Sequence, residues 1–142
     1  MGRSILVKKQ GILNSDISRV LSYLGHTDTI CIGDCGLPIP DAVERIDLAL
    51  AFGEPTFMRT LEVVAADMKV EKIVLAEEIK ENNPKVLSEI QEFFAGSDVE
   101  VEVEFVSHAE LKAIKNDCKA VIRTGETTPY ANIILQAGCI FA

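Results

Sequence analysis

The chain has no tryptophan, two tyrosines, two histidines and no Cys-x-x-Cys pair among its 142 residues. Its four cysteines, Cys31, Cys35, Cys118 and Cys139, are scattered, and His26 and His108 lie in unrelated contexts. Tetrahedral zinc needs convergent ligands at characteristic spacings, so no metal site is expected. Reduced thiols, mostly buried in apolar runs, account for the cysteines. Basic residues are also few: 14 Lys+Arg against 22 Asp+Glu leave a formal charge of -8. Without a basic block to offset that charge, a nucleic-acid partner is not expected. Long apolar runs are missing too. The longest uncharged stretch, Thr127 to Ala142, is interrupted by Pro129, Asn132 and Gln136. A spanning helix needs ~20 mostly apolar residues, so no membrane segment is expected. Met1 to Gln10 lacks the apolar centre and cleavage site of a signal peptide, which points to the cytoplasm.

Against these absences stands an apolar surplus. Hydrophobic residues make up 48% and charged ones only 25% of the chain, and mean hydropathy is +0.21. A small domain has much surface to cover, so this surplus points to surface hidden in an oligomer. Repeats, low-complexity tracts and linkers are lacking. A single domain over residues 1–142 is expected, with 1–7 a leader outside its pattern.

The pattern that is present alternates helices and strands. Asn14-Ser15-Asp16 offers N-caps to a helix carrying Ile17, Val20, Leu21 and Leu24, stopped by Gly25 as its C′ residue. Thr29–Ile32 reads as a strand, and Gly36–Pro40 as a loop, because two close prolines join neither ladder nor helix. Asp47–Leu50 is a weaker strand. A helix beginning near Pro55 shows a face of Met58, Leu61, Ala65 and Met68. Lys72–Ala76 reads as a strand covered on both sides. Asn83-Pro84 starts a helix through Leu87, Ile90 and Phe94 to Gly96. Val99–Phe105 alternates apolar with acidic residues, as a half-exposed strand near a sheet edge does. Its Glu100, Glu102 and Glu104 read as a solvated face. Ser107-x-x-Glu110 has the capping-box form. Ala120–Arg123 and Asn132–Leu135 complete the strands. The class is α/β, with a mostly parallel mixed sheet between helices.

In such sheets, polar loops at strand ends carry the chemistry. Three places fit: Gly25–Asp28 with Asp34 at the far end of the next strand, His108, and the loop Thr124–Asn132. Histidine is suited to proton transfer near neutral pH. Tyr130 and Asn132 are neutral hydrogen-bonding groups suited to a polyhydroxylated ligand. Each residue also has a purely architectural reading. His26 is placed to cap a helix C-terminus, and Asp34 to form a turn. His108 fits an exposed first helical turn, and Tyr130 and Asn132 the start of a strand. Gly33–Gly36 is too short for a phosphate cradle and lacks a following lysine.

Several blocks recur together in one order. They are Gly11–Asp16, Leu24–Asp28, Asp34–Pro40, Ala76–Lys80, Val121–Glu126 and Thr128–Leu135. With these the chain resembles the D-ribose pyranase family of the ribose-utilisation system, from about Lys8 to Phe141. The sister family, L-fucose mutarotase, has Gly-Asp after the histidine, where this chain has Thr27-Asp28. The resemblance implies interconversion of β-pyranose and β-furanose ribose, so that furanose reaches ribokinase. It also implies a three-layer α/β/α fold, a homodecamer of two stacked five-membered rings, and no cofactor or metal. Position by position it implies His26 as proton donor and Asp34, His108, Tyr130 and Asn132 as substrate-binding residues. On this reading Asp34 anchors sugar hydroxyls and is also placed to orient the His26 imidazole. Part of the apolar excess is expected at subunit contacts, with the sugar site close by, since the uncharged run from Thr127 to Ala142 carries Tyr130 and Asn132.

Overall fold

In a computed structural model, residues 8–97 and 99–140 are described. The leader at 1–7 and the last two residues of the uncharged stretch lie outside them. Short runs of β-branched and aliphatic residues form one six-stranded sheet: β1 Thr29–Gly33, β2 Arg45–Asp47, β3 Val70–Ala76, β4 Glu102–Val106, β5 Val121–Arg123 and β6 Ile133–Ala137. The helices are α1 Ser15–Tyr23, α2 Phe57–Ala65, α3 Ile79–Asn82, α4 Pro84–Ala95 and α5 His108–Lys115. The strand order is β2-β5-β1-β6-β3-β4. Five strands run one way, while β6 runs antiparallel to both its neighbours in the middle of the sheet. The expected mixed, mostly parallel sheet is therefore present.

Helices cover it on both faces, which makes three layers. On one face, Ile17 and Val20 of α1, Phe57, Leu61 and Val64 of α2, and Ile90 of α4 pack with Ile30, Ile32, Ile73, Leu75 and Ile122. On the other, Leu111 of α5 and the loop residues Leu37, Ile39 and Val43 pack with Cys31, Val74, Val121 and Ile134. Because side chains alternate along a strand, β6 sends Ile133 and Leu135 to the first layer and Ile134 to the second. These three residues are no more than 1% exposed. Much of the uncharged stretch thus fills this subunit's own core. Most of the freely exposed apolar side chains are elsewhere: Leu13, Tyr23, Leu50 and Phe52 are each more than 80% exposed, as is Ile140 near the end of that stretch.

Local signals in the sequence hold where the cap is local. Asn14, Asn83 and Ser107 each accept a backbone N–H of the turn they start, and Pro84 follows Asn83. The alternating segment pairs over Glu102–Val106 and lies at the sheet edge. Three details differ. The weak strand is Arg45–Asp47, because its parallel register with Val121–Arg123 ends there. Helix α2 starts after Thr56, whose hydroxyl accepts the Arg59 N–H. Its buried face is accordingly Phe57, Thr60, Leu61 and Val64, with Met58, Ala65 and Met68 only partly covered. Finally, α1 ends at an extended Leu24, and the left-handed residue near its end is Thr27, φ 75°, rather than Gly25.

Candidate active site

Asp34 leaves β1 at its carboxyl end. Its backbone N–H donates to the Asn132 carboxamide oxygen at 2.8 Å, and the Asn132 amide donates to Asp34 Oδ2 at 3.2 Å. The other carboxylate oxygen accepts the Gly36 N–H at 2.9 Å, closing an Asx turn. Asn132 is completely buried, so its amide acts chiefly to fix Asp34. The approach needs glycine at 33. A Cβ there would lie 2.5 Å from Leu37 Cδ2 and 3.0 Å from the Asn132 carboxamide oxygen. Below the turn, the buried Lys115 donates its ammonium to the Pro38 carbonyl, holding the proline-rich loop to α5. Burial lowers the pKa of Lys115 and raises that of the neighbouring thiol of Cys31.

Because β6 is reversed, its first residues enter at the same end of the sheet. Asn132 therefore meets Asp34 although β6 is antiparallel to β1, and Tyr130 lies two residues before it. The loop before them is held tightly. Glu126 accepts the Phe57 N–H at 2.9 Å and the Thr128 hydroxyl at 2.7 Å. Asn83 donates to Thr128 Oγ1 at 2.9 Å and to the Pro129 carbonyl at 2.8 Å. At Gly125 a Cβ would lie 2.5–2.6 Å from the backbone of Ala51 and Glu54, so only glycine fits. Tyr130 itself is left-handed, φ 58°. Its ring meets His108 edge-to-face, centroids 5.0 Å apart and planes at 87°. His108 opens α5 just after β4, its N–H held by the Glu78 carboxylate at 3.0 and 3.2 Å. The His108 Nδ1 is buried with no hydrogen-bond partner among the described residues.

His26 is elsewhere. It precedes β1, whereas Asp34 follows it, and five residues of strand at ~3.3 Å each put the two about 15 Å apart. The imidazole Nε2 lies 2.9 Å from Glu71 Oε1, with the ring about half exposed. Glu71 Oε2 accepts the Gln136 side-chain amide at 2.6 Å. Gln136 first, and then His26, hold the Glu71 acid below its usual range. The residue after His26, Thr27, is the other left-handed non-glycine residue among the described residues. A β-branched side chain there is strained, and such strain collects at functional sites.

Four expected residues, Asp34, His108, Tyr130 and Asn132, thus gather at one end of the sheet, and His26 stands at the other. Within one subunit Asp34 does not reach the His26 imidazole, whose Nε2 lies against Glu71 instead. Sequence reasoning missed Glu71 because its partner is 45 residues away. The signal available was a carboxylate at the start of a strand whose later residues, Ile73 to Ala76, are all apolar, with Gln136 breaking an uncharged run.

A twice-covered sheet with one reversed central strand, polar at both ends, defines an α/β class of small protein. Within that class the chain belongs to the RbsD / FucU transport protein family, whose model matches residues 7–140. A D-ribose pyranase of Bacillus cereus (strain B4264) is 56% identical over 135 residues, covering 95% of this chain and all of that protein. One from Streptococcus uberis is 58% identical over 132 residues, 93% of this chain and 98% of that protein. Among solved structures, Bacillus subtilis RbsD complexed with D-ribose matches with a TM-score of 0.89 at 51% identity, covering 95% of this chain and all of that one. The fucose mutarotase of Streptococcus pneumoniae shares the fold, with a TM-score of 0.79 at 20% identity over 90% of this chain and 94% of that one.

Proposed function

We propose that the chain is a D-ribose pyranase, opening the hemiacetal of β-ribopyranose and reclosing it as β-ribofuranose. The observation that carries this is full-length identity of 56% to a D-ribose pyranase. Ring-size change moves one proton off the anomeric hydroxyl and another onto the ring oxygen, and the aldehyde then closes through a different hydroxyl. Nothing is oxidised, and the furanose produced is the form a ribokinase takes. His26 serves as the acid that protonates the ring oxygen. Asp34, fixed by Asn132 and Gly36, keeps lone pairs for sugar hydroxyls. His108 and Tyr130 pack on one another at the same end of the sheet, and His108 has a nitrogen still to satisfy.

One copy separates these groups, so each site takes His26 from one subunit and the Asp34 cluster from the next. Head-to-tail pairing of this kind is heterologous and closes into rings, in keeping with the decamer of stacked pentamers that the family resemblance implies. Apolar surface is present at both ends: Leu50 and Phe52 beside Cys35 and Arg123, and Tyr23 at the end of α1.

NMR exchange between ribopyranose and ribofuranose signals tests the activity, and the protein is expected to accelerate it. Acceleration of anomer exchange alone would indicate a mutarotase, and binding without acceleration a sugar-binding protein. Loss of the acid in His26→Ala is expected to cost about 10²–10⁴-fold. Mixing tests the shared site. His26→Ala and Asp34→Asn, each inactive, should together regain activity at about a quarter of the interfaces when assembled in equal amounts. No recovery would place all five residues in one subunit's site.

A further inference from the structure

Glu71 is the charged residue that β3 supplies to the His26 end, and it makes no ion pair with lysine or arginine among the described residues. The adjacent Lys72 turns to Glu104, 2.7 Å away on the edge strand. The Asp28 carboxylate is engaged by the Gly25 N–H at 2.9 Å. Glu71 instead divides its two oxygens between His26 Nε2 and the Gln136 amide, at 2.9 and 2.6 Å. An ionised carboxylate has no hydrogen to give, so both neighbours donate to it. The hydrogen of the His26 ring in this contact therefore sits on Nε2. Room for the arrangement is left by Gly138. A Cβ there would come within 3.1 Å of Lys69 Cγ, 3.2 Å of Glu71 Cβ and 3.5 Å of Glu71 Oε1.

We infer that Glu71 is the positioning residue for His26, turning Nε2–H toward the protein so that Nδ1 is the atom exchanging a proton with the sugar. Gln136 holds Glu71 in place in turn. The sugar's part in this rests on the pyranase reading, whereas the ring orientation does not. When His26 is the proton donor, the imidazolium carries hydrogen on both nitrogens. Nδ1–H passes its proton to the ring oxygen while Nε2–H stays on Glu71, and the anomeric hydroxyl's proton later restores Nδ1–H. The carboxylate stabilises the charged ring before transfer and fixes the neutral tautomer after it.

The test uses the assembled protein labelled with ¹⁵N-histidine, in which only His26 and His108 report. Above the histidine titration, His26 Nε2 is expected at the protonated, pyrrole-type shift and Nδ1 at the pyridine-type shift. In Glu71→Ala both shifts should move toward one another as tautomers mix. The same variant should lower kcat for ring exchange about 10–100-fold with little change in KM. Glu71→Gln, which keeps an acceptor oxygen without the charge, should restore the tautomer and part of kcat. Protonated Nδ1 in the parent, or unchanged shifts in Glu71→Ala, would overturn the inference. So would an unchanged kcat in a parent that accelerates exchange. If the parent fails to accelerate exchange, the pyranase reading falls, and the ligand-free shifts still decide the ring's orientation.

Discussion

The two ends of the sheet spend their polar atoms differently. At the Asp34 end, the Asp34 N–H, both of its carboxylate oxygens and the Asn132 carboxamide are engaged with one another or with a turn. Glycine 33 and glycine 125 allow backbone and side chains to close together there. At the His26 end, a half-exposed imidazole hangs from one carboxylate. A closely bonded cluster anchored on the buried Asn132 is a rigid template, since each bond lost to Asn132 leaves a desolvated group behind. An exposed ring on a single acceptor keeps one nitrogen available for chemistry. On the proposed roles, recognition is built into the folding core, and proton transfer is placed on a half-exposed side chain at the surface.

Stability measurements can break this contrast. Asn132→Ala removes a fully buried side chain and strands the part-buried Asp34 N–H, and urea unfolding is expected to show a loss of about 3 kcal/mol. His26→Ala should stay within about 0.5 kcal/mol of the parent in the same assay. Equal losses would end the distinction. A smaller effect concerns acid. The Glu71 carboxyl titrates below its usual 4.5, so its contribution is fully present above that pH and is lost as pH falls through the lowered value. The melting-temperature difference between the parent and Glu71→Gln should therefore be visible at pH 6 and fade below 4.5. A difference that persists in strong acid would assign it to packing. Little should change in Thr27→Gly either. Relief of the left-handed backbone is offset by the freer unfolded chain, leaving thermal stability within about 1 kcal/mol. A larger loss would mean that the threonine side chain holds the His26 loop.

Much of the fold was legible because its signals are local. Asn14, Asn83-Pro84 and Ser107 announce helices within four residues of the bonds they make. Non-local pairing was not legible. Nothing in Asn132–Leu135 tells that this strand runs against its neighbours, and β2 ends where a partner 76 residues further on ends, at the pair Asp47 and Arg123. The five proposed site residues were found by type and resemblance. Their division was nevertheless implicit in the chain: His26 comes before a five-residue strand and Asp34 after it, so an extended β1 must hold them apart. Glu71 stayed hidden because an ion-pair partner across the sheet leaves no trace at short spacing.

The reversed strand β6 begins just after Asn132 and carries Gln136, four residues apart and hence on one face of the sheet. Each braces a different end, Asn132 through Asp34 and Gln136 through Glu71. A slip of one residue in this strand's pairing would turn both braces to the opposite face and exchange the layers that Ile133, Ile134 and Leu135 fill at the same stroke. The strand thus ties both ends of the sheet to a single register: a mispaired chain loses the Asp34 brace, the Glu71 brace and its packing together.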